Sequence, residues 1–228
     1  MSLGRYSHRR GRVSGIQPRQ IRNCIGAQYT AGVSTFYLIR HAENDWVGKR
    51  IAGWLPEVHL NEQGRAQAEV LAERLARSGI GAIYSSPLER AVETAAPLAR
   101  RLGLEVQTSD AIGEVRFGDW TGCDLAALEA DPRWRWFNTF RSGARIPGGE
   151  LMIETQTRFV AELERLRDRE PGGTVAVVSH GDPIKAALAH YAGIQLDLFH
   201  RLEISPASVS VVVLEEWGPR LLRINAEA

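Results

Sequence analysis

Two apolar runs in this chain each end in a histidine: Phe36-Tyr37-Leu38-Ile39-Arg40-His41, and Val175-Ala176-Val177-Val178-Ser179-His180-Gly181. Each has the length and composition of a short strand buried on both faces, and each delivers an imidazole where the strand stops and a loop begins. In open α/β sheets, ligand sites gather at the carboxyl ends of strands, so both rings can face one crevice. A lone histidine is most often a satisfied structural or surface residue. Two on matching strand ends, with Arg40 beside the first, point to a phosphate-handling site.

From residue 35 onward the pattern alternates strand and helix. Asn61 is placed to cap a helix over 62–77, ended by Ser78-Gly79, and a second strand follows at 81–84. Ser85-Ser86-Pro87 opens a helix running to about Leu102, where Gly103 stops it, and 104–107 reads as a short third strand. A loop with Glu114 and Gly118 leads into a short helical region, 124–141, rich in Trp and Arg. Beyond the break at Pro147-Gly148-Gly149, an amphipathic helix is predicted at 150–169, a fourth strand at 174–179 and a helix at 183–191. Two more strands, 208–215 and 220–224, flank a turn at Trp217-Gly218-Pro219. Such an order predicts a three-layer α/β/α sandwich with a mostly parallel sheet. The chain's 228 residues suit one domain of ordinary size, over 35–228.

The net charge of +1 hides an asymmetry. Six arginines and no acidic residue fall within 1–30, so the rest of the chain carries −5. Residues 1–34 are expected to be a basic, disordered extension; an organelle transit peptide is the alternative, weakened by the glycines and Pro18. The acidic body argues against nucleic acid as a partner. No apolar run reaches membrane-spanning length, so no membrane partner is expected. Cys24 and Cys123 offer neither metal-like spacing nor a disulfide framework, which suggests a cytoplasmic location.

Four segments carry the chemistry: Leu38-Ile39-Arg40-His41-Ala42-Glu43-Asn44; Ser85 to Ala95, with Glu89-Arg90-Ala91; Glu114-Val115-Arg116-Phe117-Gly118-Asp119-Trp120-Thr121-Gly122; and Ser179-His180-Gly181-Asp182-Pro183. In this order the set resembles the histidine phosphatase superfamily, the group that includes cofactor-dependent phosphoglycerate mutases, over about 35–216. The resemblance implies a phosphoglycerate mutase-like fold and a phosphohistidine intermediate, with no metal and no cofactor. His41 is then the nucleophile. Arg40 and Arg90 present planar donor forks to the phosphoryl oxygens, Asn44 donates its amide, and His180, if protonated, adds a third positive contact. Glu114 is the expected proton donor and acceptor, provided that burial or nearby negative charge raises its pKa. Glu43 competes for that role but lies in the nucleophile's own loop.

Ala42 stands where the family most often has glycine, and Asn44 where a hydroxyl residue is common; neither change removes a catalytic group. Residues 121–146 form a compact connection between Trp120 and Pro147, shorter than the insertion of phosphoglycerate mutases. That favours hydrolysis of a small phosphorylated metabolite over mutase-type transfer, with a non-catalytic phospholigand-binding protein as the third reading. Arg133, Arg135, Arg141 and Arg145 interleave with Trp134, Trp136, Phe137 and Phe140 as a candidate substrate lid, with Arg133, Arg135 and Trp136 foremost. The competing expectation is a short helix with its aromatics packed inward and its arginines solvated.

Overall fold

A computed structural model describes residues 32–227; the basic leader expected over 1–34 lies, up to residue 31, outside the described residues. Its centre is a six-stranded sheet of order β3-β2-β4-β1-β5-β6. β1 (Ser34–Arg40), β2 (Ala82–Ser85), β3 (Val106–Thr108) and β4 (Thr174–Ser179) run parallel. β5 (Val209–Glu215) runs antiparallel to β1, and β6 (Gly218–Ala226) antiparallel to β5.

Side chains alternate across each strand, so the apolar runs build two cores at once. Val175 and Val177 of β4 pack with Phe36, Leu38 and Tyr84 on one face, against Phe159, Leu163 and Leu166 of helix α5 (Met152–Arg169) and Ile184 and Leu188 of helix α6 (Gly181–Ala192). Ala176 and Val178 face the other way with Ile39 and Ile83. There they meet Leu71 and Leu75 of helix α1 (Glu62–Leu75) and Ala91, Ala95 and Leu98 of helix α2 (Glu89–Leu102). The result is the three-layer sandwich. A third cluster, with Val115, Phe117, Trp120, Phe137 and Phe199, seats the connection that carries the single-turn α3 (Leu125–Leu128) and α4 (Pro132–Thr139).

Local boundaries follow from hydrogen bonding. Asn61 accepts from the Gly64 amide at 2.8 Å and starts α1 as expected. The third strand begins at Val106 and not at 104, because the Leu104 amide still donates to the Ala99 carbonyl (3.0 Å) beyond the left-handed Gly103. The predicted 124–141 region divides into two helices, with Asp131 capping the second by accepting from the Arg133 amide. The last turn is tighter than predicted. Gly218 pairs with Glu215 and Pro219 with Leu214, so only Glu216 and Trp217 remain in the bend; Pro219 is tolerated because β6 is an edge strand.

Candidate active site

Strand register sets the site. Arg40 of β1 lies opposite Ser179 of β4, so His41 and His180 leave the sheet side by side, with ring centroids 5.2 Å apart. β2 ends beside them: the Ser86 amide bonds the Val178 carbonyl at 2.9 Å, and Ser86 leads into α2 and Arg90. Arg40, His41, Asn44, Arg90 and Glu114 line one cavity of about 310 Å³ with Gly181 and Asp182 at the start of α6. His180 does not line it: its ring is fully buried, beside that of His41.

The His41 ring is oriented by its own loop. Nδ1–H donates to the Ala42 carbonyl at 2.8 Å, which leaves the lone pair on Nε2. The Ala42 amide in turn donates to Thr94 Oγ1 (2.9 Å), and the Thr94 hydroxyl donates to the Arg90 carbonyl (2.7 Å). Thr94 therefore ties the nucleophile's loop to the helix that carries Arg90. Burial pushes the His41 pKa well down, and Arg90 and Arg40 push it further, so the ring is neutral at pH 7.

Both arginines hold donors in reserve. Arg40 Nη1 donates to the Ile204 carbonyl at 2.6 Å and Arg90 Nη2 to the Gly53 carbonyl at 2.8 Å, which fixes each fork. Arg40 Nε and Arg90 Nη1 are buried and make no hydrogen bond. An unpaired buried donor costs about 1–3 kcal/mol, more when charged, unless something binds there. Asn44 Oδ1 accepts from the Trp46 and Val47 amides, leaving its amide nitrogen for a ligand.

Glu114 sits in a loop braced from several sides. One carboxylate oxygen accepts from the Val115 amide (2.9 Å) and the other lies 3.6 Å from His180 Nδ1. Burial pushes its pKa up to about 7, and the Asp182 charge adds to this, against Arg90, the Val115 amide and Arg40. Gly118 admits the close approach that folds this loop: its φ is +48°, and a Cβ there would lie 2.2 Å from the Pro147 carbonyl oxygen.

Two expectations need correction. His180 is not a cation: burial, then Arg90, His41 and Arg40, hold its pKa well below the usual imidazole value. Its Nε2 lies 2.8 Å from Ser86 Oγ, while the Nδ1 facing Glu114 has no hydrogen bond. A neutral ring has one donor nitrogen: where the Ser86 hydroxyl donates to Nε2, Nδ1 carries the proton, and where Nε2–H donates to Ser86, Nδ1 is an acceptor facing Glu114. The lid also differs. Arg133 turns out to Asp131, Trp136 is 52% exposed against Phe140, and Arg135 is exposed; none of the three lines the cavity. The wall is formed instead by Trp134, packed edge-on to Trp120 (5.2 Å), and by Arg141, bonded to Asp182 (3.0 Å) and Asn138 (2.6 Å) and stacked over Phe137.

Sequence reasoning passed over Thr94, Ser86, Lys185 and Arg158. Thr94 stands one helical turn after Arg90 and so shares its face, a signal that was present. Lys185 lines the outer cavity, its Nζ 3.9 Å from Glu203, whose side chain is 81% exposed.

Comparison with known proteins bears on this geometry. A family model described as histidine phosphatase superfamily (branch 1) matches residues 36–227. Phosphoserine phosphatase 1 of Hydrogenobacter thermophilus is 36% identical over 196 residues, covering 82% of this chain and 90% of that protein. A bifunctional protein of Mycobacterium tuberculosis is 35% identical over 191 residues; the match covers 82% of this chain but 52% of that protein, so the chain spans about half that relative's length. Among solved structures, a mycobacterial glucosyl-3-phosphoglycerate phosphatase in complex with VO3 superposes with a TM-score of 0.76 at 31% identity, over 84% of this chain and 99% of that one.

Proposed function

The chain belongs to the histidine phosphatase superfamily, branch 1, and is a phosphatase; we propose that it hydrolyses phosphomonoesters through a covalent phosphohistidine on His41. The observation that carries this reading is the hydrogen bond between His41 Nδ1 and the Ala42 carbonyl. With Nδ1–H bonded to the Ala42 carbonyl, the Nε2 lone pair is available in a cavity whose buried guanidinium donors are unpartnered.

Nε2 attacks phosphorus in line, and the bond from phosphorus to the ester oxygen breaks. The Arg40 and Arg90 forks, the Asn44 amide and, in its Nδ1–H tautomer, His180 take the equatorial oxygens as negative charge spreads over them. These groups supply the charge neutralisation that a metal gives elsewhere. Glu114, protonated up to about pH 7, passes its proton to the departing alkoxide. The resulting carboxylate then takes a proton from water as the water oxygen attacks the phosphohistidine. The P–N bond breaks, phosphate forms, and His41 returns neutral with Glu114 protonated.

The substrate is a small phosphorylated metabolite that carries a carboxylate near its phosphate, as phosphoserine does. Lys185 lines the same cavity as Arg40 and Arg90, one turn along α6 from Asp182, where its ammonium can meet a second anionic group. Hydrolysis of p-nitrophenyl phosphate that survives EDTA, is abolished in His41→Ala, and leaves acid-labile label on His41 supports the mechanism. Activity retained in His41→Ala overturns it. Isomerisation of 3-phosphoglycerate outpacing phosphate release, with 2,3-bisphosphoglycerate present, overturns the choice of hydrolysis over transfer.

A further inference from the structure

The loop that presents Glu114 has almost no ladder of its own. Residues 114–117 belong to no helix or strand, so their neighbouring carbonyls need partners from elsewhere. Side chains supply them: Trp54 Nε1–H donates to the Glu114 carbonyl at 2.6 Å, Ser179 Oγ to that of Ile112 at 2.7 Å, and one arginine serves three carbonyls at once. Arg158, on the second turn of α5, donates through Nη1 to the carbonyls of Ala111 (2.8 Å) and Gly113 (2.9 Å). Through Nη2 it donates to the carbonyl of Glu114 itself, at 2.8 Å. The fork is anchored on its other edge by Glu150, with Nη2 to Oε1 at 2.8 Å and Nε to Oε2 at 3.3 Å. Glu150 Oε1 also accepts from the Arg116 amide (2.8 Å), so the carboxylate grips the same loop two residues further on. Burial pushes the Glu150 pKa up, but the Arg158 bonds and charge and the Arg116 amide outweigh it and hold Glu150 ionised. The side chains are only 21% and 11% exposed, so solvent screens the pair weakly.

From this geometry we infer that Arg158 is a positioning residue for the proton-transfer step, fixing the backbone of Ala111, Gly113 and Glu114 so that the Glu114 carboxyl stays beside His180 and Arg90. The inference rests on Glu114 being the proton donor. Only a planar fork can serve three carbonyls and a carboxylate at once; lysine, as a point charge on a flexible stem, cannot. Arg158 does not line the cavity, so its loss leaves the phosphate contacts of Arg40, Arg90 and Asn44 in place.

Proton donation matters in proportion to the basicity of the leaving group, which gives a readout that general destabilisation would not move. kcat/KM reports the phosphorylation step, and is to be measured for an alkyl phosphate and for 2,4-dinitrophenyl phosphate, whose phenolate departs without a proton. Arg158→Lys keeps Glu150 paired and is the variant least disturbing to the fold; Arg158→Met is its harsher companion. The expected result for Arg158→Lys is a roughly 10- to 100-fold fall with the alkyl ester, in line with misplacing a catalytic group by about 1 Å, and less than about threefold with the dinitrophenyl ester. An equal fall on both esters, or none on either, overturns the proposal. Glu114→Gln separates the two claims. If it shows the selective loss and Arg158→Lys does not, the positioning role alone fails; if Glu114→Gln itself affects both esters alike, the reading of Glu114 as donor fails first.

Discussion

The inner end of the cavity and its outer wall are both rich in charge, yet they handle it in opposite ways. Along the wall nearly every cation is closed by a carboxylate: Arg50 by Asp124, Arg141 by Asp182, with Arg133 and Asp131 behind. At the inner end Arg40 Nε, Arg90 Nη1 and His180 Nδ1 are buried without partners, and Glu114 is driven towards its neutral form. Although Arg141 Nε and Trp120 Nε1 at the wall are also buried without partners, groups that serve only the fold mostly satisfy one another. Groups waiting for a phosphoryl oxygen cannot, because a permanent partner would occupy the place of the substrate. The difference teaches where the ligand goes, and it implies that the inner end carries a stability cost that the paired wall does not.

The largest effect is expected from breaking the inner set. Arg90→Gln removes a buried fork from the developing charge and should lower kcat/KM by about 10³-fold, with Arg90→Lys recovering only part of the loss because lysine has no second donor in the same plane. A loss below tenfold, by steady-state assay on any phosphomonoester, would mean that the unpartnered Nη1 is not a substrate contact.

Glu114→Gln sharpens the stability side of the comparison. The Glu114 pKa is raised from the ordinary carboxylate value to about 7, so the folded state holds the proton more tightly than the unfolded chain. Its contribution is fully present below about pH 4 and is lost as pH rises through about 7; above that, ionisation costs the fold about 3 kcal/mol. The glutamine variant cannot ionise. It should therefore be the more stable protein at pH 8, by up to that amount in denaturant titrations, with the advantage vanishing near pH 4. The same proton governs activity: for substrates with basic leaving groups, kcat/KM should decline above about pH 7, and the glutamine variant should lack that limb.

Lys185 tests the boundary between the two regions, since it lines the outer cavity with its nearest carboxylate at 3.9 Å on the exposed Glu203. Lys185→Gln should raise KM for phosphoserine by about tenfold, the worth of one charge-assisted contact, while leaving a simple alkyl phosphate within twofold. Equal changes on both would remove the carboxylate from the substrate reading.

Much of the inner end was legible in the sequence because it depends on short-range rules. A buried strand must end, and its last residue must emerge at the sheet edge; a serine-rich turn before a helix brings Arg90 to the same edge. The register of Arg40 against Ser179, which sets the two rings side by side, is a long-range pairing, but it follows once two apolar runs of similar length lie parallel. Charge state was harder. His180 looks like a cation until one knows that it is fully buried and feels the charges of Arg90 and Arg40. Arg158 was illegible for a related reason: a helical arginine reads as a solvated charge, and nothing local reveals that three carbonyls more than forty residues away lie within its reach.

The wall shows the limit most plainly, and there the expected effect is smallest. Trp134 and Trp136 are two residues apart on an eight-residue helix, about 200° around its axis, so only one can face inward. Periodicity cannot choose between them. Trp120 and Phe137 choose, because they form an aromatic pocket with ring centroids 5.2 and 5.9 Å from Trp134, and Trp136 is left against Phe140. Trp134→Ala should thus change KM by about threefold or more, in a manner that depends on the bulk of the substrate's alcohol portion, and also destabilise the α4 region through lost aromatic packing. Trp136→Ala and Arg133→Ala should leave kcat and KM within twofold. If the order is reversed, with Trp136 the sensitive position, α4 turns during catalysis and the wall that is paired and closed in this structure is the part that moves.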